Sequence, residues 1–133
     1  MRAALIVLLV ACGSKPAPNP PPPLQPAALA KMLDDDMTTL GVIAHRQRGN
    51  CISLATELRP HVDRMKLHAT DVEQMLTDPA KARTLKAALA GYAPNPARTD
   101  QIAQDLGSTY LGCKDDQTQR YVLERVIADI PTY

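Results

Sequence analysis

From residue 27 to residue 130, apolar side chains recur every three or four positions, the spacing that lines one face of a helix. Leu29, Leu33, Met37, Leu40 and Ala44 form the first stripe, widened by Met32 and Ile43, and predict a helix over 27–48. Pro26 suits its first turn, where no backbone donor is needed, and Gly49 suits its stop. Asn50, whose side chain can accept from the free amides of a helix start, opens a second stripe. That stripe is Cys51, Leu54, Leu58, Val62, Met65, Ala69, Val72 and Leu76. Pro60 falls inside it and removes one donor, which predicts a kink near 56–60 rather than a break. Asp78-Pro79 starts a third helix over 79–90, closed by Gly91, with Leu85, Leu89 and Tyr92 apolar. After the loop Tyr92-Ala93-Pro94-Asn95-Pro96, Thr99 is expected to cap a fourth helix carrying Ile102, Leu106, Tyr110 and Cys113. Lys114-Asp115-Asp116 interrupts the pattern. A fifth helix then runs to about Asp129 on Val122, Leu123, Val126, Ile127 and Ile130, and Pro131 ends it. The expected class is all-α, with no internal repeat.

The N-terminus has a different pattern. Arg2 precedes an unbroken apolar run, Ala3 to Val10, which small residues and a cysteine close. Positive start, apolar middle and small residues at a cut site are the layout of an export signal. The run is too short for a transmembrane helix, which takes about 20 apolar residues. Leu9-Val10-Ala11-Cys12 resembles a bacterial lipobox. The resemblance implies lipidation of Cys12, removal of residues 1–11, and a mature chain held on a membrane through its N-terminal lipid. Gly13, rather than Asp, in second place resembles an outer-membrane lipoprotein, with the domain in the periplasm or at the cell surface. Residues 12–26 then form a lipidated cysteine and proline-rich linker, and 27–133 the helical domain. As extended polyproline, 15–26 reaches roughly 35–40 Å.

Lipidation of Cys12 would change the cysteine arithmetic. Of the three cysteines, Cys51 and Cys113 remain, an even pair in an oxidising compartment. A disulfide between them closes a loop of about sixty residues and contributes about 4 kcal/mol in the chain-entropy model. The alternatives are two thiols in apolar sites, or a reactive thiol at Cys51, which opens a capped helix. A disulfide needs alpha carbons within roughly 7 Å. With Cys51 starting the second helix and Cys113 ending the fourth, those two helices run antiparallel and the first runs parallel to the fourth. The third helix extends or crosses the far end of the second. The expected architecture is an antiparallel three-helix bundle with two additional short helices, stapled by one disulfide.

Composition narrows the function. Trp and Phe are absent, and the net charge of +1 falls to zero once Arg2 leaves with the signal. Neither stacking surfaces nor electrostatics favours nucleic acid. Asp34-Asp35-Asp36 lies towards the positive end of the first helix. Successive helical residues point about 100° apart, so the three carboxylates cannot converge on a metal and are expected to be solvated. His61, Met65 and His68 have ligand-like spacing on one flank of the second helix, a mix that suits copper. The two histidines are roughly 10 Å apart, too far to share an ion without further ligands. No Cys-x-x-Cys-His haem motif occurs, and no Ser-His-Asp order, phosphate loop or paired carboxylate arrangement stands out, so no enzyme activity and no cofactor are expected.

Gly49-Asn50-Cys51 opening a long helix, Asp78-Pro79 reopening one, and Leu111-Gly112-Cys113 before a polar break resemble small helical lipoproteins of the myxobacterial sort. Pro60 departs from that pattern. The resemblance implies the helical fold and the paired cysteines, and no activity. The reading is a membrane-anchored envelope lipoprotein acting as a structural or protein-interaction module with an envelope protein partner. The alternative is a small-ligand or metal (copper or haem) carrier.

Overall fold

In the computed structural model, the described residues are 16–92, 95–113 and 116–132. They form α1 (Pro26–Arg46), α2 (Cys51–Leu76), α3 (Pro79–Ala90), α4 (Pro96–Gly112) and α5 (Gln117–Ala128). Short polar side chains set four of the five starts by accepting from otherwise unpaired amides. Asn50 accepts from Ser53, Asp78 from Ala80 and Lys81, Asn95 from Arg98, and Asp116 from Gln119. The expected Thr99 cap is corrected by this pattern. Asn95 is the cap, because Pro96 has its φ preset for a first turn and needs no donor. The Thr99 hydroxyl instead donates to the carbonyl of Asn95.

The α1–α2 connection turns at Gly49, whose φ of 84° lies in the left-handed region that glycine enters without strain. Its N–H donates to Thr109 Oγ1 at 2.9 Å, so the same turn is tied to α4. The second helix runs unbroken through Pro60, whose ring is exposed. Its stripe differs from expectation at one end: Leu76 is 58% exposed and Met75 is buried in its place. The reason is tertiary. There α3 folds back against α1, and Leu85 joins Leu29, Ala30, Leu33 and Met75 in a small core.

A larger core fills the other half of the molecule. Leu40, Ile43, Ala44, Leu54, Leu58 and Val62 of the α1–α2 pair meet Ile102 and Leu106 of α4 and Leu123 and Val126 of α5. Contacts along α1 and α4 climb in step, from Asp34 with Arg98 through His45 with Asp105 to Gly49 with Thr109. The two helices are therefore parallel, with Gly41 on α1 packed close against Ile102. In the same way Asp129, just past α5, pairs with Arg59 and Lys66 of α2, while Val122 shares a groove with Cys51 and Ile52. Hence α5 runs parallel to α2. α2 and α4 themselves touch over a short stretch around Cys51 and Cys113.

The proline run is not free up to the helix. Leu24 is half-buried against the small core, and Pro21, Pro22 and Pro23 border a groove with Asp71, Met75 and Lys81. The standoff expected from 15–26 is shortened accordingly, since an apolar residue inside the spacer finds a place to bury. Among the described residues no helix is long and apolar enough to cross a membrane.

Candidate functional site

Cys51 and Cys113 lie at disulfide distance, with alpha carbons 5.9 Å apart and Cys113 buried. The pair ties the start of α2 to the end of α4. Cys12 and the rest of Leu9-Val10-Ala11-Cys12 lie outside the described residues.

His61, Met65 and His68 come together, but inside the α1–α2 interface rather than on an open flank. Met65 is fully buried and His61 nearly so. His61 Nε2 lies 3.0 Å from the carbonyl oxygen of Asp36, and Arg64 lies 3.0 Å from its Nδ1. A carbonyl can only accept and a guanidinium can only donate, so the ring carries its proton on Nε2. His68 Nδ1 meets the Asp36 carboxylate at 2.6 Å. Both histidines thus clamp one residue of α1, a use that needs no metal.

Asp36 corrects the expectation that all three neighbouring carboxylates are solvated. It is 6% exposed, because it falls three residues after Leu33 and four before Leu40, on the buried stripe itself. Asp34 pairs with Arg98 at the start of α4, and Asp35 pairs with Lys31 on the outer surface. Three adjacent aspartates therefore serve α2, α4 and solvent, as their angular spacing dictates.

Asp105 is a buried charged group that the apolar stripe of α4 does not include. It is 1% exposed and receives His45 Nδ1 at 3.1 Å, Arg48 at 3.3 Å and Gln101 at 3.1 Å. Burial pushes its carboxyl up, but the hydrogen bonds from His45, Arg48 and Gln101 outweigh that and hold it below the usual carboxylate range. A signal was present: Asp105 lies between Ile102 and Leu106 on the inward face, where a carboxylate persists only with partners. His45 is itself mostly exposed, with its ring held by Asp105 beside a groove that Gly41, Arg98 and Ile102 also border.

No protein family, curated protein or solved structure matches this chain.

Chemistry has therefore to be read from the arrangement alone. Among the described residues no three or more His, Cys, Asp or Glu side chains are placed to hold a metal ion. The polar groups just described are spent on joining helices: Asp36 to α2, Asp34 and Asp105 across α1 and α4, and Asp129 to α2. Three open grooves lie between helix pairs. One of them, about 510 Å³ between α4 and α5, is bordered by Leu106, Gly107, Tyr110, Glu124, Ile127 and Ala128.

Proposed function

We propose that this chain is a lipid-anchored protein of a bacterial envelope. Its folded head, read as an antiparallel bundle of α1, α2 and α4 carrying the shorter α3 and α5, serves as a structural or protein-interaction module. The carrying observation is the N-terminal order of Arg2, an apolar run, Leu9-Val10-Ala11-Cys12 and then a proline tract. The placement of Cys51 beside Cys113 supports it, since a disulfide between the other two sulfurs is what an oxidising compartment outside the cytoplasm favours. The interhelical use of the buried polar groups supports a head that presents surfaces rather than one that performs a reaction.

Intact mass of the protein taken from membranes of the producing cell tests the reading. The expected species lacks residues 1–11 and carries acyl chains on Cys12, and Cys12→Ala yields an uncleaved, unacylated chain. A wild-type chain recovered whole and unmodified overturns it. The apolar α4–α5 groove favours a second reading, a carrier of a small apolar ligand in the same envelope. Native mass spectrometry separates the two, since a carrier retains a non-protein mass that a module lacks.

A further inference from the structure

The third helix has an unusual charge pattern. Lys81, Arg83 and Lys86 are all exposed, and Pro79–Ala90 contains no acidic residue. None of the three side chains makes an ion pair among the described residues, a property shared with Arg64, Arg120 and Arg125, whereas Lys31, Arg46, Arg48, Arg59, Lys66 and Arg98 each make one. The nearest carboxylate in sequence, Asp78, is occupied in capping the first amides of α3. Leu85 faces inward, fully packed in the small core. Arg83 and Lys86 lie about 60° apart on the helix, about 160° and 100° round from Leu85, whereas Lys81 lies only about 40° from Leu85, at the edge beside the linker. Around them the outer face carries Pro79, Ala80, Ala87 and Ala90, all exposed and none of them long, so nothing bulky would hold the cations off a flat surface. Leu76 just before the helix and Tyr92 just after it are 58% and 40% exposed. Cations bracketed by an aliphatic and an aromatic side chain are suited to a headgroup region, where chains with a polar end and an apolar body settle.

The tether places this helix near a bilayer. Pro21, Pro22 and Leu24 share a groove with Lys81, so the linker leaves the head beside α3. The nine residues from Cys12 to Pro20 span at most about 32 Å. From these observations we infer that α3 is a membrane-docking face that rests on anionic phospholipid headgroups, adding a charge-dependent contact to the single lipid anchor. The inference rests on the lipid-anchor reading. One anchor fixes distance but not orientation; a second contact beside it would lay the small-core end on the bilayer and turn the disulfide end away.

The test is hydrogen exchange of the full chain as recovered from cell membranes, reconstituted in two kinds of vesicle. One is phosphatidylcholine alone; the other contains about one-third phosphatidylglycerol, whose surface attracts each nearby cation. The expected result is about tenfold slower exchange across α3 on the anionic vesicles only. The slowing should disappear in ~1 M salt, where screening reaches about 3 Å, and in the K81Q/R83Q/K86Q variant. That variant changes exposed side chains only, and an unchanged melting temperature verifies its fold. Equal slowing on both vesicles, slowing that survives in the variant, or slowing confined to another helix overturns the inference. No slowing on either vesicle also overturns it and leaves α3 open to an acidic protein. The intact mass of the same sample reports the anchor separately. If the chain proves unacylated and uncleaved, its apolar N-terminal run still reaches both vesicles, and the difference between them still reads out α3.

Discussion

The two ends of this helical head use the same kinds of side chain but are held together differently. At the end away from the proline linker, four helices close over the larger core, Cys51 and Cys113 join α2 to α4, and the buried Asp105 accepts hydrogen bonds from His45, Arg48 and Gln101 at the surface. At the linker end, five buried residues and the half-buried Leu24, Val72, Ala88 and Leu89 hold α3 against α1. No ion pair among the described residues involves an α3 side chain. Stability in a fold of this size is a small difference between large terms, so such an imbalance lets one end open while the other stays closed. The comparison teaches that the disulfide and the buried carboxylate reinforce an end that already has the deeper core, while the basic helix sits on the end expected to yield first.

The largest effect expected is from the disulfide. Its partners are 62 positions apart, and the double variant C51S/C113S should lose about 4 kcal/mol, or roughly 15–30 °C of melting temperature. Calorimetry under non-reducing conditions measures this. A shift of only a few degrees would mean that the larger core alone holds the disulfide end, and the contrast between the two ends would weaken.

Next comes a matched pair of truncations. Leu54 and Leu85 are both essentially inaccessible, one in each core. Leu54→Ala should cost about 3–4 kcal/mol and lower the global transition, as cavities in a deep core do. Leu85→Ala should cost less, about 2 kcal/mol, because a small core at the end of the molecule can collapse into the gap. It should also speed hydrogen exchange in α3 well before the rest of the chain responds. Uniform acceleration across all five helices would show that the two ends unfold as one unit.

Asp105 gives a smaller effect with a pH signature. Asp105→Asn should cost about 1–2 kcal/mol, at the low end for a buried carboxylate because His45 and Arg48 remain largely in water. Folding lowers this carboxyl, so its stabilisation is complete above the ordinary aspartate value of about 4 and is lost as acid takes the pH down through the lower folded value. Thermal melts should therefore fall off below about pH 4 in the native chain, and that limb should flatten in the variant. Asp129, lowered by its hydrogen bond to Lys66, contributes to the same limb with the same sign. Measuring Asp105→Asn against Asp129→Asn separates the buried term from the surface one.

The smallest prediction has the opposite sign. Gly107 lies within α4, and a Cβ added there meets nothing within 4 Å. Gly107→Ala should stabilise by about 0.5–1 kcal/mol through helix propensity. Gly41→Ala gains the same propensity but sets its methyl 3.3 Å from Ile102 Cγ1, so its net effect should be near zero or unfavourable. If both variants gave equal gains in chemical denaturation, α1 and α4 would not be as closely packed as the contact implies.

Local chemistry on its own was enough to determine five helices, most of their bounds, the turn at Gly49 and the caps at Asn50 and Asp78. Each depends on side chains within a few residues of one another, and the inward stripe follows from a period the chain carries everywhere. The pairing of Cys51 with Cys113 was also legible, through the parity left if Cys12 carries lipid, and the helix directions were deduced from that pairing. The burial of Asp36 was not, and that of Asp105 was signalled only by its place on the inward face. Each is a charged residue on an apolar stripe, and whether it is solvated or buried depends on donors that lie far off in sequence: His68 for one, His45 and Arg48 for the other. The exchange of Leu76 for Met75, the docking of Leu24 and the burial of His61 also belong to tertiary structure. Burial is a property of what covers a residue, and at those three sites the covering residues come from another helix.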